Sequence, residues 1–300
     1  MVRLNNLFKG LVIALIFITF ITENRVNAQK LPKKVNPSLV PVESLALFVD
    51  ITEISVAEWL AYMTSVYEKY GEGKELKNTY PLLSKLPEKY HGIFESIENF
   101  GVYYNMESEV SFISNMKYQI PEVKGVSVED VKKILELPIC SISYEQVQKY
   151  IAWREIIVNM DSKLAKKGIK LKARLISPEE WEKIAGTAGP RHPENKSNYP
   201  DSLSLEGCYL INAKYVNPCE STAVELEKYG AGAFGVESYW PDLYGLYNIF
   251  GGVAEMSSEK GVAKGGSFAH WVNEGFAGKQ QSYSGPEGWL GFRCVFEIAK

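Results

Sequence analysis

Apolar and polar residues first alternate regularly from Leu45 to Ile54, where β-branched side chains recur, and this pattern predicts a strand. Ser55-Val56-Ala57-Glu58 follows at once. A serine three residues ahead of a glutamate satisfies two orphan backbone N–H groups reciprocally, so a helix is predicted from here to about Tyr67, with Trp59, Met63 and Val66 facing the core. The same device recurs at Ser143 with Gln146, predicting a helix through Trp153. It recurs again at Ser177-Pro178-Glu179-Glu180, predicting one through Ile184, where proline at the first helical position loses no needed donor. Ser127-Val128-Glu129-Asp130 opens a shorter helix. Otherwise the stretch from Glu68 to Leu137 is polar, tyrosine-rich and weakly periodic, and is expected to be an insertion (68–137) lying over the fold. Residues 29–44 contain Pro and Lys without period and read as a linker or an extended first segment. Arg191 to Trp240 is rich in Gly, Pro and Asn, which predicts long loops with short strands, a kind of segment often pinned by metal or used in function.

The N-terminus adds a compartment. Arg3 and Lys9 precede an apolar run from Leu11 to Ile21, and Val26-Asn27-Ala28 offers a small-residue cleavage site, so residues 1–28 read as a signal peptide. The run is short for a membrane span, although a retained anchor is the alternative. No cysteine lies near the cleavage site, so no lipid anchor is expected. The mature chain, from about Gln29, is expected to be exported to the periplasm, an outer-membrane-associated position or the extracellular space. Residues 45–298 suit one large domain whose 18 tyrosines and 6 tryptophans can both pack and hydrogen-bond. A net charge of -3, with no basic stripe, excludes a nucleic-acid footprint.

The four cysteines are Cys140, Cys208, Cys219 and Cys294, an even number that in an oxidising compartment favours disulfides. Cys208 and Cys219 bracket a short loop that a bridge would close; a second pair, Cys140 with Cys294, and free buried thiols remain alternatives. Zinc is disfavoured because no two cysteines have knuckle spacing and His91, His192 and His270 are scattered. Arg191-His192-Pro193-Glu194 reads as a surface turn.

Four blocks in order resemble the formylglycine-generating enzyme, or sulfatase-modifying factor, family: Phe48 to Met63, Ile139 to Glu155, Ala173 to Gly189, and a C-terminal cluster. That cluster comprises Gly245 to Met256 (GLYNIFGGVAEM), Lys264 to Phe268 (KGGSF) and Gly291 to Cys294 (GFRC). The resemblance implies an α+β fold, the family's loop-rich variant of the C-type-lectin fold with few helices and short antiparallel strands. It also implies a structural calcium ion held by Asn248, Gly251, Val253 and Glu255. Side-chain oxygens from Asn248 and Glu255 with carbonyls from Gly251 and Val253 make a hard donor set of the kind calcium takes. Gly252 and Ala254 depart from the family's usual Asn and Trp. A second family calcium site would use Asn212 and Ala213, but Lys228 stands where an acid is expected.

The family's enzymes oxidise a substrate cysteine with oxygen through two copper(I)-binding cysteines, soft ligands suited to that ion. Their positions correspond to His270 and Gly275 here. Cys294 corresponds to a disulfide partner in the enzymes, and the His-rich iron cluster of a sulfoxide-forming branch is absent. The expectation is therefore an exported, non-catalytic domain without copper. It would act as a protein-binding or structural part of the cell envelope, with secretion-system or gliding-motility proteins as partners, because the segments also resemble domains of type IX secretion and gliding-motility lipoproteins. Two alternatives stand beside it: an enzyme of divergent chemistry using Ser267, His270 or Arg293, and a carbohydrate binder using Trp271, Tyr283 and Trp289.

Overall fold

The structure is a computed structural model that describes residues 31, 38–95, 102–104, 116–118, 122–187, 211–214, 233–239, 241–271, 274–275 and 278–299. Residues 1–28, expected to be a signal peptide, the segment around His192 expected to be a surface turn, and Cys208, Cys219 and Lys228 lie outside the described residues. The main sheet brings the two ends of the domain together. Strands β1 (Leu39–Val42) and β2 (Leu47–Asp50) form a hairpin, and β2 pairs antiparallel with β10 (Cys294–Ile298), which pairs in turn with β5 (Leu171–Leu175). A short hairpin of β3 (Val102–Tyr104) and β4 (Met116–Tyr118) stands apart. The second sheet has the order β8 (Gln281–Ser282), β7 (Val262–Lys264), β6 (Ala254–Met256), β9 (Leu290–Gly291), and so carries the C-terminal motifs on adjacent strands.

The predicted strand at Leu45 is shorter than its pattern. Glu43–Leu45 is a turn of 3-10 helix, Ala46 adopts φ 53, and β2 begins only at Leu47. Within the segment read as a linker or an extended first segment, Leu39–Val42 is an edge strand and Leu31 is buried in the core. Pro41 is tolerated there because an edge strand need not donate on its outer side.

Helix α1 (Val56–Tyr70) opens with the expected capping box of Ser55 and Glu58. Its residues Val56 to Thr64 are all buried, so its first half is wrapped on every side rather than amphipathic. Trp59, fully buried, stacks on Tyr150 at 5.3–5.4 Å ring spacing from its neighbours Tyr62 and Tyr150 and meets Phe292 edge-on. Its indole N–H donates to the Thr79 carbonyl at 3.0 Å. After α2 (Lys74–Lys77) and α3 (His91–Glu95) comes α4 (Val128–Leu135), capped by Ser127. Of the described residues between Glu68 and Leu137, Leu76, Ile93, Phe94, Val131, Ile134 and Leu135 lie in the main core with α1 and β10.

Helix α5 (Tyr144–Asn159) has the predicted box at Ser143 and Gln146 but runs six residues beyond Trp153. Its Tyr150 and Arg154 continue the inward face, while Asn159 bonds both backbone groups of Leu171 and ties the helix end to β5. Helices α6 (Ser162–Lys166) and α7 (Pro178–Thr187) complete the set, the last capped reciprocally by Ser177 and Glu180.

Arg154, fully buried, donates to Asp50 at 2.9 Å with Glu58 4.0 Å away. Burial pushes the Glu58 carboxyl from near 4.5 up to about 7, against the pull of Arg154 and with added repulsion from Asp50. Between those values the folded protein keeps a proton that the unfolded chain has lost, so this group makes stability fall as pH rises through the window. Glu58→Gln keeps the capping box and removes the titration. Its stability, followed by urea unfolding at pH 5, 6 and 7, should decline less steeply than the wild type's by up to about 1.4 kcal/mol per pH unit. Equal slopes would refute the assignment.

Of the alternatives left open for Cys140 and Cys294, a bridge or free buried thiols, the structure has free, buried thiols. Cys294 sits on a central strand opposite Leu175, its N–H donating to Asp50, while Cys140 lies in the segment before α5 and faces an apolar pocket.

Candidate functional site

The C-terminal motifs build two adjoining features, a buried polar centre and a loop. The centre begins at Asp242, whose Oδ1 accepts from Tyr244 N–H at 2.7 Å and Leu246 N–H at 2.9 Å and so sets the turn. Asn248 follows with φ 51, a left-handed conformation that asparagine tolerates better than most residues. Its side-chain amide donates to Glu53 at 3.0 Å and to the Val236 carbonyl at 3.1 Å. Glu53 also accepts from Val253 N–H at 3.2 Å, fastening the loop to the segment between β2 and α1. Gly252, at φ 66, explains a departure noted in the sequence: a Cβ there would lie 2.2 Å from Glu53 Oε1, so this carboxylate occupies the space a side chain would take.

Arg293 is the hub. Its Nε donates to Glu255 Oε1 at 2.8 Å, and its terminal nitrogens donate to the carbonyls of Asp50, Ile51 and Tyr247 at 2.8, 2.7 and 2.6 Å. Burial opposes its charge, but Glu255 and Glu53 outweigh that and push its pKa up. Burial pushes Glu53 up to about 8, with Arg293 and Asn248 pulling the other way, and raises Glu255 and Asp242 as well. Glu53 was not singled out in the sequence. The signal was present in its position two residues before the cap serine, but only the fold shows that it faces the C-terminal loop.

Of the expected calcium ligands, Asn248, Val253 and Glu255 contact this centre, whereas Gly251 packs against Asn212 and donates to the Gly265 carbonyl. Glu255 Oε2 and Asp242 Oδ2 are buried without hydrogen-bond partners. The nearby Trp181 indole favours the charged form of Glu255, yet the contact falls short of hydrogen-bond geometry. Glu255, Glu53 and Asp242 all stabilise the Arg293 charge while burial raises the pKa of each, and among the described residues no three acidic, histidine or cysteine side chains are grouped so as to hold a metal ion. Asn212, from the second expected site, is buried with its amide nitrogen unpartnered; its carbonyl accepts from Gly252 N–H at 2.9 Å.

The loop follows β7. Lys264 is buried between Glu182 and the Lys279 carbonyl, and Gly265 and Gly266 turn the chain at φ 90 and 67. Ser267 Oγ and His270 Nδ1 are 2.6 Å apart, and the hydroxyl accepts from Ala269 N–H at 3.1 Å, so it donates to the ring. Burial lowers the His270 pKa, Lys214 lowers it further and Glu274 opposes, which favours the neutral ring. Glu274 spends a carboxylate oxygen on Trp271 N–H at 2.9 Å. Ser267 is itself fully buried. Gly275 is packed against the turn: a Cβ there would lie 2.5 Å from the Gly265 carbonyl oxygen and 3.4 Å from Gly266 Cα.

The aromatics proposed for sugar stacking differ in exposure. Trp271 is 47% exposed, whereas Trp289 and Tyr283 are packed against the core. Trp289 meets the His270 ring edge-on at 4.7 Å.

Beside the loop is a half-enclosed pocket of about 500 Å³ that the sequence did not reveal. Phe268, Ala269 and Trp289 form one wall, and residues from Ser84 to Phe94 and from Ile134 to Cys140 supply most of the rest.

Residues 25–298 match the model of the sulfatase-modifying factor enzyme 1-like domain. The chain belongs to that family. Its α+β architecture, with few helices and short, mostly antiparallel strands, is the C-type-lectin-like fold expected of a member. Among solved structures it is similar to PvdO from Pseudomonas aeruginosa, at 15% identity over 84% of this chain and 80% of that one, with a TM-score of 0.43. It is also similar to variable protein 1 of Treponema denticola, at 15% identity over 83% and 84% of the two chains and a TM-score of 0.40. CarF matches at 15% identity over 84% and 87%, with a TM-score of 0.41. No curated protein matches the chain.

Proposed function

We propose that this family member is a non-catalytic domain of the cell envelope that binds partners through its loop face instead of oxidising cysteines. The closure at Gly275 carries the reading, because the backbone of the Gly265–Gly266 turn fills the space a second copper-binding thiol would need. At the first thiol position His270 is spent on Ser267 and Trp289. A lone neutral imidazole does not replace two thiolates for copper(I). Nor does the Ser267–His270 pair replace the lost chemistry, since the serine is buried and Glu274 is hydrogen-bonded to Trp271 N–H. The resemblance in sequence supports partners in a secretion or gliding-motility assembly. The test is copper(I) titration with oxygen uptake on cysteine peptides, run beside crosslinking in intact cells. Absent turnover together with crosslinks to envelope assembly proteins is the expected result; copper-dependent oxygen uptake would overturn the reading.

Calcium belongs to the same proposal. Asn248 and Glu255 side-chain oxygens, with the Gly251 and Val253 carbonyls, would hold the ion, and when bound it would supply charge balance and fix the loop without taking part in a reaction. The unpartnered Glu255 Oε2 supports this. Calcium at a hundredfold excess over Kd should raise stability by about 2.7 kcal/mol, and EDTA should reverse the gain. Thermal unfolding of wild type and Asn248→Ala, with and without calcium, checks it: a response that survives the substitution places the ion elsewhere.

A further inference from the structure

The pocket beside the loop is too large for a partner's single side chain and lies within the range of small-molecule sites, about 300–1,000 Å³. Its volume of about 500 Å³ has room for roughly sixteen water-sized groups at about 30 Å³ each. The lining is mostly carbon, from residues such as Val56, Leu86, Phe94, Ile134, Phe268 and Trp289. Ordered water needs two to four polar partners, and a sugar needs more; this lining offers few. Among the described lining residues Lys85 alone is charged. Its side chain is 46% exposed, and its ammonium pairs with Glu287 at 2.9 Å. An exposed pair of this kind contributes at most about 1 kcal/mol, so a ligand's anion can share or take over the lysine at little cost. Leu82 and Phe234, both exposed, flank the lining residues Ser84 and Ala233 and extend the apolar surface outward.

We propose that this pocket binds a free fatty acid, its aliphatic chain lying between Phe94, Ile134 and Trp289 and its carboxylate at Lys85. Each methylene withdrawn from water adds about 0.8 kcal/mol, so affinity comes from the chain while the single cation selects an anionic head. Binding is reversible. Cys140 faces the pocket, but burial pushes its thiol up to about 12, so it stays protonated and acts as a small apolar group.

The test uses palmitate, monitored by calorimetry, and a chain-brominated palmitate, which quenches nearby tryptophan fluorescence. Saturable one-to-one binding is expected, with quenching that is mostly lost in Trp289→Phe. Narrowing the pocket with Leu86→Trp or Ala269→Leu should weaken binding at least tenfold; whichever variant keeps cooperative unfolding serves, and unchanged affinity in it overturns the proposal. Lys85→Ala should weaken palmitate about fivefold and leave the uncharged alcohol of equal length unaffected; equal loss for both, or none for either, overturns it. Absence of saturable palmitate binding overturns it too, including when the protein nonetheless binds vesicles of anionic phospholipid, which would mark a membrane surface site instead.

Discussion

Arg293→Ala is expected to destabilise the domain by about 3–5 kcal/mol, a large share of the roughly 5–15 kcal/mol by which an ordinary domain is stable. The residue is 1% exposed and its guanidinium makes one bond to Glu255 and three to backbone carbonyls from two distant stretches of chain. Truncation leaves a buried carboxylate without its counter-charge and three carbonyls without donors, and those losses exceed what a surface ion pair would cost. Lysine is not expected to rescue, because a single ammonium cannot reproduce a planar fork that points to four oxygens in fixed directions. Denaturant unfolding measures this. A loss under about 1 kcal/mol for alanine, or full rescue by lysine, would show that the hub is not holding the C-terminal motifs together.

Returning the two thiols, His270→Cys with Gly275→Cys, is expected to give no working copper site. At position 275 the added atom meets the Gly265 carbonyl at 2.5 Å, and that turn cannot withdraw, because a Cβ on Gly265 would itself lie 2.7 Å from the Ile249 carbonyl. Overpacking against side chains costs about 1–3 kcal/mol; pressing on a backbone already held from behind should cost more. His270→Cys alone should fold, losing about 1 kcal/mol with its bond to Ser267 and the contact on Trp289. Thermal unfolding of the single and double variants, followed by copper(I) titration, separates these effects. A stable double variant that binds copper(I) tightly would mean the loop opens readily, and the non-catalytic reading would lose its main support.

The local grammar of the chain was legible in its sequence. Three reciprocal caps at Ser55, Ser143 and Ser177 appear where the side-chain spacing put them, because a cap is settled within four residues and needs no distant partner. The family, too, was legible, since its signature residues occur in short ordered blocks. Helix ends, edge strands and thiol pairing were not. Tyr150 and Arg154 belong to one inward face, but only packing against β2 and α1 shows why α5 runs on to Asn159. Likewise, nothing local distinguishes Leu39–Val42 from a linker until β2 lies beside it. At the site, the sequence determined that His270 and Gly275 stand where thiols are expected. Tertiary structure alone decided that Glu53 fills the space at Gly252, that the turn closes over Gly275, and that residues near Ser84, Phe94 and Ile134 shape an apolar pocket. Each of those depends on chain segments far apart in sequence, whose approach is set by burial and close packing, and neither leaves a periodic trace in the residues concerned.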